Sequence, residues 1–420
     1  MGRRVVVIGG GAVGAACTLV LARDGHRVVL VEPAPPGGDQ AASFGNAGWI
    51  SPQSVVPLAT PGLWRKVPGL LLDPEGPLTL RPAALPSLTP WLVRFLLANA
   101  TAERAARTAR ALAALLHDAV ERHQALAALA ARDDLVLRSG HLYVWRDRSS
   151  FAAEAFGWQL RREAGIRWLT LSAEELAHRE PALARDWGFG VLVEAGGQVR
   201  DPGALVSAYV AAAEAAGAKR VNARATGFRL ERGRLRAVQT EQGPVDADAA
   251  VIAAGIRPGP LVHALGDRIP LASERGYHVT ITDPAVSVRT PVMAGDLKAA
   301  LTPLAGGLRV AGQVELARLN DPPDWRRAAI LERIAHKLLP GLPRPLPRES
   351  VSVWLGHRPS VADGLPAIGP SRASPDVFYA FGHGHVGLAA APKTAALIAD
   401  LLSGRAACID PAPYSPARFR

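Results

Sequence analysis

Gly9, Gly11 and Gly14 stand in the spacing G-x-G-x-x-G directly after the β-branched run Val5-Val6-Val7-Ile8. That arrangement suits one task, carrying a backbone close past a pyrophosphate. Gly9 permits a tight turn, Gly11 lets the chain approach the phosphates, and Gly14 lets helix and strand pack closely. The N–H groups around Ala12 and Val13 open a helix-like segment, Ala15 to Asp24, and offer partial positive charge to phosphate oxygens. Glu32 closes a second apolar run, Arg27 to Val31. A carboxylate there can accept hydrogen bonds from ribose hydroxyls, and it disfavours the 2′-phosphate of NADP. Strand, glycines, helix and acid together make a βαβ dinucleotide-binding unit, without separating FAD from NAD.

Further residues with chemical capacity lie far along the chain. Ser43, Asn46, Ala47 and Gly48 belong to a small-residue loop, Ser43 to Ser51, through which backbone could pass close to a flavin. Ala249 to Ala254 reads as a strand ending at Gly255. Arg358, in Gly356-His357-Arg358-Pro359, offers a planar fork that matches a carboxylate bidentately. Tyr277, in Glu274-Arg275-Gly276-Tyr277-His278, could donate a hydrogen bond to the same carboxylate. His278 would face the other side of an extended strand and reads as structural, with Arg275 a weaker candidate cation. Gly382-His383-Gly384-His385-Val386-Gly387 precedes a helix-like segment, Lys393 to Leu402. Its backbone N–H groups and helix N-terminus could stabilise negative charge, and His383 could line a site.

These residues need a scaffold of two kinds. The run Val5 to Ile8 suits a strand buried on both faces of a parallel sheet. Ala218 to Val221 and Val377 to Ala380 read as further strands of that kind, and Ala204 to Ala216 as a helix. Ala100 to Leu129 reads as one long amphipathic helix outside the βαβ pattern. Leu135 to Leu142, Tyr143 to Trp145, Leu308 to Val310 and Val351 to Trp354 are strand candidates, and Pro340 to Pro347 a linker.

Composition narrows the function classes. With 49% hydrophobic and 20% charged residues, the chain of 420 residues is globular and large enough for two or three domains. The net charge of +11 comes from scattered arginines, with only Lys66, Lys219, Lys298, Lys337 and Lys393 as lysines, and reads as no specific nucleic-acid address. Cys17 and Cys408 are too few for a disulfide framework or a cysteine-based metal site, so no metal is expected. Neither a leader nor a membrane span is expected, and a cytoplasmic setting is compatible. A basic surface could lean on anionic lipid at the inner face of the cell membrane. Leu88 to Ala98, with Trp91 and Phe95 at helical spacing, is a candidate patch for such a peripheral contact, packing within the protein being the stronger reading.

The order of these motifs resembles the D-amino-acid oxidase superfamily of FAD-dependent oxidoreductases, and within it bacterial D-amino acid and D-hydroxyproline dehydrogenases. The resemblance spans nearly the whole chain. It implies a fold of mixed α/β and α+β class, a Rossmann-type FAD-binding domain interleaved with a mixed-sheet substrate-binding domain. The first would take residues 1–70, 190–265 and 346–420, the second 71–189 and 266–345. It implies noncovalent FAD, since neither cysteine matches a covalent flavin position. It also implies an amino acid substrate, held through its carboxylate by Arg358. The Cα–N bond would be oxidised by hydride transfer to flavin, giving an imino acid and, from a primary amine, a 2-oxo acid and ammonia. Cyclic substrates such as D-proline would fit. A quinone or another electron acceptor is implied by the dehydrogenases. Lys298 is the candidate for an oxygen-activating cation, as in some relatives. The rival readings are an oxygen-using oxidase of glycine, sarcosine or another secondary amine, an NAD-dependent dehydrogenase, and a non-catalytic cofactor-binding subunit.

Overall fold

The computed structural model describes residues 2–419. Its first sheet has six strands in the order Lys219–Val221, Arg27–Val31, Arg4–Ile8, Ala249–Ile252, Val377–Phe381 and Ala367–Pro370. All neighbours are parallel except the last pair. The central strand shows why its sequence is uniformly apolar. Val5 and Val7 enter one core with helices Ala12–Arg23, Pro202–Ala215 and Gly387–Ser403. Val6 and Ile8 enter a second core with Val238, Leu261 and Phe381 on the opposite face. A strand covered on both sides has no polar face to alternate.

The expected single helix from Ala100 to Leu129 is two, Ala102–Leu116 and Ala119–Leu129. The break falls at His117 and Asp118, where the Asp118 carboxylate accepts from Arg122 Nε and from Lys393 Nζ, both at 2.7 Å. Both helices pack on the first sheet's helical layer, not away from it. Leu112, Leu115, Leu116 and Val120 join the core that holds Val5 and Val7. An amphipathic face must find apolar cover, and helix Gly387–Ser403 supplies it. The continuous helical run Gly384–Ser403 that contains this helix is long and apolar enough to cross a membrane by composition, but it is largely buried inside the protein.

The second sheet has nine strands. Eight run in the order Val351–Val361, Leu271–Ile281, Gly307–Leu316, Ala299–Leu304, Val292–Ala294, His141–Trp145, Phe189–Val193, Leu169–Ser172, and Leu78–Leu80 pairs with Gly307–Leu316. Val351–Val361 falls in the stretch expected for the FAD-binding domain, yet it pairs over its full length with Leu271–Ile281. The residue 190 boundary likewise falls inside the strand Phe189–Val193 of this sheet. One face of the sheet is apolar: Leu142, Val144, Val279, Leu301 and Val310 pack with helix Arg326–Leu338. The other face carries Glu274, His278, Thr280, Thr302, Arg309 and Arg358, placed together by strand alternation and register.

Candidate active site

The glycine turn is built by backbone contacts. Gly9 has φ of +106°, and a Cβ there would sit 2.6 Å from the Ala253 carbonyl oxygen. A Cβ on Gly14 would overlap the carbonyl oxygen of Gly9. Gly11 differs. It caps helix Ala12–Arg23 without a side-chain hydrogen bond, and a Cβ there would meet only Ser43 Oγ, at 3.8 Å. The first N–H groups of that helix therefore face open space, with no acidic side chain in the first turn to answer their charge. Ser43 Oγ beside them is buried and has no hydrogen-bond partner among the described residues. Glu32 stands next to the turn, where its carboxylate accepts from Gly10 N–H at 2.6 Å and Ala34 N–H at 3.2 Å. An open cradle of N–H donors, an unpartnered hydroxyl and an anchored carboxylate fit the pyrophosphate and ribose of a dinucleotide.

The small-residue loop lies between this cradle and the polar face of the large sheet. Arg309 holds it there. Its Nη1 donates to the carbonyl oxygens of Phe44 (2.9 Å) and Asn46 (2.6 Å), and burial lowers its pKa to about 10. His278 Nδ1 reaches the Gly45 carbonyl at 3.1 Å, and the Trp354 ring lies so close over Gly45 that no side chain could replace its hydrogen. Trp49 Nε1 donates to Thr302 Oγ1 at 2.8 Å. Asn46 spends its side-chain oxygen on Gly48 N–H, within the loop itself. Arg309 was not singled out from sequence. The signal was a lone charge in the run Gly307 to Ala311, but its partners are set by register alone.

Arg358 lies on the same face. Its guanidinium is drawn across Gly276, where a Cβ would come within 2.5 Å of Cζ. Among the described residues it makes no hydrogen bond and no ion pair, and burial lowers its pKa against the raising influence of Glu274. Glu274, Ser360, His383, Gly384 and His385 line one cavity with Pro57 and Leu58. His385 is crowded by protein yet reached by solvent, as a cleft allows, and burial followed by the charge of Arg358 lowers its pKa to about 4. Gly384 has φ of +54° and faces Ser360 Oγ, while Val386 and Gly387 begin helix Gly387–Ser403. Ala47 and Gly48 stay with the loop, and Gly255, with φ of +55°, has open space where a Cβ would lie.

One expectation is corrected. Tyr277 points to the helix-covered face, away from Arg358. Its hydroxyl donates to Glu315 Oε2 at 2.7 Å and accepts from Asp324 N–H at 2.8 Å. Burial and Glu315 push its pKa up to about 12. Alternation made this inevitable once His278 faced the loop. Replacing Tyr277 with Phe should therefore leave KM within twofold and cost about 1–2 kcal/mol of stability, read by denaturant titration. His383 lines the cavity with its Nε2 held by Thr394 Oγ1 at 2.9 Å, and burial lowers its pKa to about 3. In the segment Leu88 to Ala98, Trp91 packs inward, in line with the stronger of its two readings: it is 5% exposed, stacks on Phe95 and donates to the Ser360 carbonyl. The outward residues of that helix are Leu85, Val93 and Leu97. Lys298 sits in an exposed turn and pairs with Glu154.

A model of the family described as FAD dependent oxidoreductase matches residues 4–401. The chain belongs to that family. This flavoenzyme is 49% identical over 418 residues to a D-amino-acid oxidase of Bradyrhizobium diazoefficiens, covering 100% of this chain and 99% of the relative. It is 35% identical over 429 residues to D-amino acid dehydrogenase 2 of Ralstonia nicotianae, covering 99% and 100%. Among solved structures, glycine oxidase from Geobacillus kaustophilus shares the fold with a TM-score of 0.76 and 24% identity, covering 100% of both chains. The family cofactor fits the cradle described above. Cys17, buried in helix Ala12–Arg23 with its thiol pushed up to about 12 by burial, provides no thiolate for a covalent link, in keeping with noncovalent FAD.

Proposed function

We propose that this enzyme oxidises the Cα–N bond of D-amino acids, cyclic ones such as D-proline and hydroxy-D-proline included. The observation that carries this reading is the unpaired guanidinium of Arg358. A half-buried guanidinium on the polar sheet face, without a carboxylate partner among the described residues, is free to take the α-carboxylate of a substrate bidentately. Full-length similarity to enzymes named for D-amino acids supports the same substrate class. FAD, when bound, supplies a two-electron acceptor for the hydride of Cα. The protein's part is orientation: Arg358 fixes the carboxylate, and the Arg309-clamped loop and the polar sheet face enclose the reacting carbon. An imino acid leaves. Water converts a primary one to a 2-oxo acid and ammonia, while a cyclic one persists as a pyrroline carboxylate.

A quinone or another carrier is our reading of the electron acceptor. It is supported by Lys298, which is paired with Glu154 at the surface and so brings no free cation to the site. Anaerobic addition of D- and L-amino acids, hydroxyprolines, glycine and sarcosine to the yellow holoprotein tests both parts. Bleaching by D-amino acids and slow recolouring in air are expected. Bleaching only by glycine or sarcosine overturns the substrate reading, and rapid recolouring with peroxide overturns the acceptor.

A further inference from the structure

We infer that Glu274 receives the ammonium group of the substrate and takes its proton, so that Arg358 and Glu274 together recognise an amino acid as a zwitterion. The inference rests on the amino-acid reading above. Glu274 and Arg358 are directly opposed in the antiparallel pair Leu271–Ile281 and Val351–Val361. Side chains so placed start about 5 Å apart on one face of a sheet. Opposite charges at that spacing would ordinarily close on each other. Here they do not: the guanidinium is drawn sideways across Gly276, and no ion pair joins the two. Glu274 is 5% exposed, and its carboxylate meets the charge of Arg358 and the Ser360 hydroxyl, both of which favour its ionised form. Ser360 Oγ is itself buried, with no other hydrogen-bond partner among the described residues. A carboxylate in the cavity wall and a guanidinium directly opposite it in the sheet, not closed on each other, are complementary to a molecule that carries both charges on one carbon.

The chemistry needs such a group. Hydride departs from Cα only when the nitrogen lone pair is free to form the C=N bond, and an amino acid arrives protonated near neutral pH. One proton passes from the ammonium to a Glu274 oxygen, leaving a neutral amine and a neutral carboxyl. Burial raises the pKa of Glu274 while Arg358 lowers it, so the carboxyl is a better proton acceptor than an exposed glutamate. The other titratable groups around it are His383, whose pKa burial lowers, and His385, whose pKa is lowered by its protein surroundings and by Arg358, with Phe95 and Asn99 closing the far side. Glu274 is therefore the carboxylate of this cavity.

The test compares wild-type holoenzyme with Glu274→Gln, Glu274→Asp and Arg358→Ala. Propionate, a carboxylate without an amine, is titrated by calorimetry, and anaerobic flavin reduction by D-proline is followed against pH in stopped flow. Glu274→Gln should bind propionate as tightly as wild type or more tightly, because a negative charge is gone. Its reduction by D-proline at pH 7 should fall about 100-fold, and the acidic limb of the pH profile should move up by more than one unit. Glu274→Asp should restore the limb. Arg358→Ala should lose propionate. Equal loss of propionate and D-proline in Glu274→Gln, or an unmoved limb, overturns the role of Glu274. Propionate binding that is indifferent to Arg358→Ala, or a wild-type flavin that no D-amino acid reduces, overturns the underlying substrate reading instead.

Discussion

Replacing Arg358 with Ala should raise KM for a D-amino acid about 100-fold. The guanidinium lies opposite Glu274 of the cavity wall with no ion-pair partner among the described residues, so a bound carboxylate would lose two charge-assisted hydrogen bonds, roughly 3 kcal/mol together. The flavin should remain bound and the fold intact, because no described residue depends on Arg358 for a hydrogen bond. Lysine at this position should recover only part of the loss, since a single ammonium cannot match the planar fork. Steady-state kinetics with an artificial electron acceptor, beside the visible spectrum of each variant, give the measurement. A variant with unchanged KM would remove Arg358 from the carboxylate site and leave the enclosing sheet face without its anchor.

Gly11→Ala and Gly14→Ala should fail in different ways. At Gly14 the added methyl would collide with the carbonyl of Gly9, and both are backbone atoms that cannot yield separately. That variant should lose several kcal/mol of stability, or fail to accumulate, through overpacking at the contact of helix and strand. At Gly11 the added methyl meets no protein atom nearer than Ser43 Oγ at 3.8 Å. The protein should fold as well as wild type, yet purify with little yellow colour, because the methyl occupies the space the pyrophosphate needs. The ratio of flavin to protein absorbance and thermal unfolding of the protein without added FAD separate the two. Equal flavin content in Gly11→Ala and wild type would show that the cofactor approaches elsewhere.

Legibility followed the range of the forces concerned. The cradle could be read because each of its glycines answers to a contact a few residues long or to the adjoining strand end, as at Gly9 and Ala253. Glu32 could be read because its position follows from strand length. The alternation of Tyr277 and His278 was also readable, but which of the two would face the helix layer was not. That choice depends on the apolar row Val279, Val310, Leu301 and Val292, contributed by four strands. The break at His117 was invisible for a similar reason, since Lys393 approaches Asp118 from a helix far along the chain.

The sequence alone determined a dinucleotide cradle, a guanidinium in a motif that points to carboxylate chemistry, and the resemblance that joins them. These features rest on local backbone geometry and on residue type. Only the tertiary structure decided that Arg309 clamps the flavin-side loop, that Tyr277 belongs to a structural network with Glu315, and that Glu274 stands unpaired opposite Arg358. Each of those depends on strand register, where a shift of one residue would send every side chain to the other face. Register is fixed by burial of the whole apolar row against helix Arg326–Leu338, a cooperative property that no single segment carries.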